Sequence, residues 1–139
     1  MFETVWLVQG VERWPQGGWT SYWLGPQQWL VTHPDRRTDY EQQRDALIAA
    51  GGALFDVSDA RSVIRADGEA LSKGCGIDFD LKVFPVGECR ATLLARVPVL
   101  IAREESSFAV FVPRSYAESL RTWLNSGTEP ELDRAPSPN

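Results

Sequence analysis

The sequence predicts an α+β fold, a mainly antiparallel sheet with helices packed on it. Three observations carry that expectation. Short runs of β-branched and aromatic residues recur along the chain, and two longer segments have helical periodicity. The strands also come in groups of two or three between helices, which favours neighbours joined by tight turns over a parallel sheet alternating one for one.

Residues 2–9 open the chain as a strand, where Phe2, Val5, Trp6, Leu7 and Val8 suit a pleated surface. Trp14-Pro15-Gln16-Gly17-Gly18 is turn chemistry, because proline fixes φ and glycine accepts the positive values turns need. Strands follow at 19–24 and 28–33, joined at Gly25-Pro26. The segment 38–50 is the clearest helix. Thr38 and Glu41 have capping-box spacing, Tyr40, Leu47 and Ile48 line one face, and Gly51 is a natural stop.

Short strands at 53–57 and 61–66 precede a brief helix at 68–74 and an irregular section ending at Phe84-Pro85. Three more strands are expected at 90–96, 98–103 and 107–112. The final helix covers 114–125, where Tyr116, Leu120, Trp123 and Leu124 recur at i, i+4, i+7 and i+8. Ser115 and Glu118 offer its capping box, and Gly127 its end. The expected organisation is one domain over 1–126 and a flexible C-terminal tail over 127–139, where Pro130, Pro136 and Pro138 fall.

Composition narrows the function. With 139 residues, 43 % of them apolar, the chain can bury roughly two-thirds of its unfolded surface without disulfide or metal staples. Its net charge is -5 and it has no basic run, which argues against a nucleic-acid partner. The longest uncharged apolar stretch of the C-terminal half, Val97 to Ala102, is far short of a membrane span. Glu3 stands where a signal peptide would carry Lys or Arg, and two Cys without an export signal fit a reduced, cytoplasmic protein.

The chemical inventory is sparse. Cys75, Cys89 and His33 are the soft ligands, and the cysteines lack the tight spacing of structural zinc, so they read as buried thiols. His33 before Pro34 has nothing in sequence to orient it as a base, and reads as structural. Gly74-Cys75-Gly76 lacks a third glycine and follows a helix, so it is not a dinucleotide loop. Asp56 and Asp59 are the most interesting acids. They could work as an acid/base pair or hold a ligand amine, or, with Ser58, bond their own backbone in a turn.

The aromatics stand out most. Of the six Trp, Trp6, Trp14, Trp19, Trp23 and Trp29 all lie near the N-terminus, and such side chains dominate both cores and interface hot spots. Alternation puts Trp19, Ser21 and Trp23 on one face and Thr20, Tyr22 and Leu24 on the other. Both faces are therefore partly apolar. The chain's own helices can cover one, leaving the other for a second protein.

Several stretches, in order, resemble the small γ-type subunit of heterotetrameric sarcosine oxidase. They are Trp23-Leu24-Gly25-Pro26-Gln27-Gln28-Trp29-Leu30-Val31 and Leu54-Phe55-Asp56-Val57-Ser58-Asp59-Ala60-Arg61. Leu71 to Asp78, Phe84 to Cys89, and Val112 to Ala117 with Leu120, Trp123 and Leu124 follow. The Phe-Asp-Val-Ser-Asp stretch is also similar to the first part of glycine-cleavage aminomethyltransferases.

The resemblance implies the aminomethyltransferase N-terminal-domain-like, folate-binding-like fold. It also implies a role as a non-catalytic accessory subunit beside large α and β subunits and a small δ subunit. Such a complex oxidatively demethylates sarcosine or a related N-methyl amine, giving glycine, hydrogen peroxide and formaldehyde or methylenetetrahydrofolate. FAD, FMN, NAD, tetrahydrofolate and zinc then belong to partner subunits, with no cofactor bound by this chain. Nothing here resembles the later aminomethyltransferase segment with its catalytic Asp, so no catalytic role transfers. The expected partner interface is Trp19, Trp23, Trp29, Asp56, Asp59 and Arg61. The alternative is a free-standing folate-binding module or small aminomethyltransferase-like protein, with Asp56 or Asp59 taking the pterin amines.

Overall fold

The computed structural model describes residues 4–14 and 18–126. The Pro15-Gln16-Gly17 turn, the helix stop at Gly127 and the tail over 127–139 lie outside the described residues. The chain divides into two units, Met1–Ala60 and Arg61–Asn139. Each holds a four-stranded antiparallel sheet with helix on it, so the expected α+β class is found with the strands shared between two sheets.

The first unit contains β1 (Thr4–Gln9), β2 (Thr20–Gly25), β3 (Gln28–His33), α1 (Tyr40–Ala49) and β4 (Ala53–Asp56), in sheet order β2-β3-β1-β4. The β1–β3 register sets Trp6 opposite Val31 and Val8 opposite Trp29, and β4 adds Leu54 opposite Val8. Those side chains share one face, which α1 covers with Tyr40 and Leu47. Val5, Tyr22 and Leu30 on the opposite face are buried as well. The sheet thus leaves no wide apolar face open, and exposure on its strands is confined to Trp23 and Phe55 among the large apolar side chains.

Helix α1 stops as the sequence suggests. Gly51 takes φ 91°, its N–H donates to the Ile48 carbonyl at 3.0 Å, and the Gly52 N–H donates to the Leu47 carbonyl at 2.8 Å. Its start differs. The cap is Asp39 rather than Thr38, and its side chain makes no cap bond. Arg37 holds that carboxylate instead, with Nε to Oδ1 at 3.1 Å and Nη2 to Oδ2 at 2.9 Å.

The second unit contains β5 (Arg61–Ala66), α2 (Gly68–Ser72), β6 (Cys89–Leu94), β7 (Val97–Arg103), β8 (Phe108–Pro113) and α3 (Ala117–Ser126), in sheet order β5-β8-β7-β6. Ile64, Ile101, Val110 and Val112 form its core with Leu71 of α2, Phe84, and Ala117, Leu120 and Trp123 of α3. The β6–β7 turn falls at Ala95-Arg96, one step before the position expected from sequence. Both residues have positive φ, 49° and 73°, as a two-residue hairpin turn requires. The usual Asn or Gly is absent, so nothing in the sequence marked the turn. Helix α2 is shorter than 68–74 and is capped by Asp67, which accepts the Ala70 N–H at 2.8 Å. The last helix starts with a 3-10 turn over Arg114–Tyr116 after Pro113, with no side-chain cap bond at that start.

Candidate functional site

The aromatic side chains of the first unit converge on Trp6. Its ring centroid lies 4.7 Å from Trp19, 5.5 Å from Tyr40 and 6.2 Å from Trp14, the last two edge-on. Trp19 also packs edge-on against Trp14 at 5.6 Å and His33 at 5.1 Å, and carries the Arg37 guanidinium at 5.5 Å. Edge-on rings bring a positive rim to a negative face, which adds to the burial of area. Trp19 lies just before β2 and is half-buried in this cluster.

Trp23 is 38 % exposed on the edge strand β2, opposite Trp29 on β3. Trp29 is half-buried, and its indole N–H donates to the Val11 carbonyl at 3.2 Å. The Gly10 N–H donates to the Gln27 carbonyl at 2.8 Å, and Gln27 Nε2 to Glu12 Oε2 at 2.9 Å. Together these bonds tie the β2–β3 turn to residues 10–12, so Trp23 stands on a fixed support.

Asp56 follows the turn reading. Its Oδ1 accepts the Ser58 N–H at 3.0 Å and the Ser58 hydroxyl at 2.6 Å, while Ser58 Oγ accepts the Val5 N–H at 2.8 Å. This Asp-Ser pair fastens the end of β4 to β1. Asp59 is exposed and 3.6 Å from Arg36. Arg61 opens the second unit, with Nη1 donating to the Phe111 carbonyl at 3.4 Å. The structure thus joins Trp19 to the first unit's core, pairs Trp23 with Trp29, and gives each of the two acids its own local partner.

Sequence reasoning missed a polar knot beside Trp19. The Asp35 N–H donates to His33 Nδ1 at 3.0 Å, and Arg37 Nη1 lies 3.4 Å from His33 Nε2. The bonded guanidinium holds the Asp39 carboxyl below its ordinary range, and the carboxylate in turn raises Arg37. His33 is buried, and a methyl on Gly18 (φ 87°) would sit 2.8 Å from its Nε2. The one sequence signal was Arg37-x-Asp39 ahead of the helix.

A shallow groove of about 260 Å³ is lined by Val11, Arg13, Trp14, Gln43, Ala46 and Leu47, with neither Asp56 nor Asp59 among them. Among the described residues, no three His, Cys, Asp or Glu side chains gather as a metal site. Both cysteines are free thiols, and burial pushes Cys89 up to about 12. No helix among the described residues is long and apolar enough to cross a membrane.

This architecture falls in one class with a chain of a multi-subunit enzyme. Heterotetrameric sarcosine oxidase from Corynebacterium sp. U-96, solved with pyrrole 2-carboxylate, contains a chain that matches with a TM-score of 0.70 at 25 % identity. The match covers 87 % of this chain and 76 % of that one. In sequence, the chain is similar to the sarcosine oxidase subunit gamma of Corynebacterium sp. strain U-96, 31 % identical over 112 residues, and to that of an Arthrobacter species, 33 % identical over 112 residues. Each alignment covers 77 % of this chain and 55 % of the relative, so the chain spans about half the length of the curated relatives it matches. No protein-family model matches. The chain is a homologue of the sarcosine oxidase γ subunits and belongs to their family.

Proposed function

We propose that this chain is the small accessory subunit of a heterotetrameric sarcosine oxidase-type complex. In this reading it sits with two large subunits, α and β, and a small δ subunit in the cytoplasm. The complex would demethylate sarcosine or a related N-methyl amine, with FAD, FMN, NAD, tetrahydrofolate and zinc held by the partners and this chain serving assembly rather than chemistry. The carrying observation is the joint match in fold and sequence to γ subunits. The aminomethyltransferase N-terminal-like ancestry belongs to the same proposal, supported by the Phe55-Asp56-Val57-Ser58-Asp59 stretch at the end of β4. In the first unit, the assembly surface is Trp23 with Trp29 and Asp59; Trp19 and Asp56 hold it from beneath. Arg61 is its proposed contribution from the second unit.

The geometry gives the free-standing folate module little help. Asp56 already spends its Oδ1 on Ser58, and neither candidate acid lines the groove. The test is to purify tagged chain from its native cells and record an absorption spectrum of the eluate. A flavin spectrum with two larger polypeptides is the expected result. Colourless chain alone, able to bind tetrahydrofolate, would overturn the reading.

A further inference from the structure

The second unit carries an apolar patch that its own core does not use. After α2 the chain runs through consecutive tight turns. Asp78 Oδ1 accepts the Asp80 N–H and Asp80 Oδ1 the Lys82 N–H, both at 2.9 Å. The Asp80 carbonyl accepts the N–H groups of Val83 and Phe84 at 3.0 and 2.8 Å. Phe84 is fully buried, stacked on Phe79 at 6.1 Å and edge-on to Phe108 at 5.5 Å.

Two arginines then fix the loop's backbone to the sheet. Arg103 Nη1 donates to the carbonyls of Phe79 and Phe84 at 2.7 and 3.0 Å. Arg90 Nη2 donates to the Val83 carbonyl at 2.8 Å, its guanidinium 4.7 Å over the Phe84 ring. A loop anchored this way is ordered before anything binds it. Yet Leu81, Val83 and Val86 are 57, 52 and 48 % exposed. Apolar side chains already fixed in place bind a partner without the entropy cost of ordering a loop, as interface hot spots do.

Charge selects the occupant. Asp78 and Asp80 flank the patch, and neither is in an ion pair among the described residues. Glu88 pairs with Arg90 at 2.7 Å, leaving Lys82 as the cation within the loop itself. An acidic rim repels anionic lipid and a second copy of the same loop, and attracts a basic one. We propose that the 80–86 loop is a docking surface for a folded protein partner whose apolar patch is rimmed by Lys and Arg. Resting on the reading above, that partner is one of the larger chains of the complex.

The test uses the complex purified through the tagged chain, in three forms: wild type, L81E/V86E, and D78N/D80N. The asparagine pair keeps the acceptors that shape the turns and removes only charge. Expected for L81E/V86E is unchanged circular dichroism and melting of the free chain, with about a tenfold loss of the larger chains. Expected for D78N/D80N is association slowed about threefold at low salt, with its salt dependence flattened. Wild-type complex recovered in full with both variants would overturn the loop assignment while leaving the subunit reading intact. Wild type that brings no larger chains overturns both. Free chain that dimerises through Leu81, or binds vesicles of anionic phospholipid through it, also overturns the proposal, since the occupant would then be a second copy or a membrane.

Discussion

At the scale of single residues, the two thiols separate cleanly by burial. Cys89 is fully buried and its thiol is pushed up to about 12 by desolvation, while Cys75 is half-buried against the second core. Because the thiolate is the reactive form, an aromatic disulfide reagent at neutral pH is expected to label Cys75 well before Cys89 in the native chain. Both should react together after denaturation. Equal native rates would contradict this packing. Gly74 makes a second residue-scale case. A methyl there would overlap Trp123 Cη2 and lie 3.2 Å from the Ala95 amide, which itself donates to the Gly74 carbonyl at 2.8 Å. Gly74→Ala is therefore expected to cost about 1–3 kcal/mol, as overpacking of a filled core does, read as a lower denaturant midpoint at unchanged slope.

At the scale of elements, the start of α1 rests on Arg37 and Asp39 rather than on a side-chain cap. The Asp39 carboxyl is lowered chiefly by its hydrogen bond from Arg37, so its contribution to stability is complete above the unfolded carboxylate value near about pH 4 and is lost as pH falls through the lower folded one. Glu104 behaves alike, because Arg65 grips it at 2.9 Å through both oxygens. Acid titration of melting temperature should thus fall more steeply below about pH 4 in wild type than in Arg37→Ala. Parallel curves would remove Asp39 from the account. The sequence read the strands well because β-branched and aromatic runs mark them locally, and it read the α1 stop because Gly51 has a conformational job. It missed the Ala95-Arg96 turn, where positive φ is imposed by the pairing of Leu94 with Val97 rather than by turn-forming residues. It missed the α1 cap because Thr38 and Glu41 have the right spacing, but Asp39 takes the cap position and Arg37 takes its side chain.

At the scale of the molecule, period-two alternation grouped Trp19 with Trp23, and the structure gives them different work. Which side chain a helix and a neighbouring loop cover is a tertiary fact, and alternation alone carries no such information. Trp19 touches Trp6, Trp14, His33 and Arg37, so a charge there must be buried inside the first unit. Trp23 stands on an edge strand at 38 % exposure, so a charge there stays wetted in the free chain. Trp19→Glu is expected to lose several kcal/mol of folding stability, about 3 or more, by cavity formation and desolvation together. Trp23→Glu should shift the free chain by no more than about 0.5 kcal/mol, as surface changes do. If Trp23 anchors a partner, the same substitution should cut recovery of the larger chains about tenfold, because the charge is desolvated only on assembly. Chemical denaturation of the free chain measures the first effect, and quantitative co-purification measures the second. A Trp23→Glu chain that folds normally and still assembles in full would move the first unit's contact elsewhere. A Trp19→Glu chain that folds normally would mean the aromatic cluster is not the core it forms here.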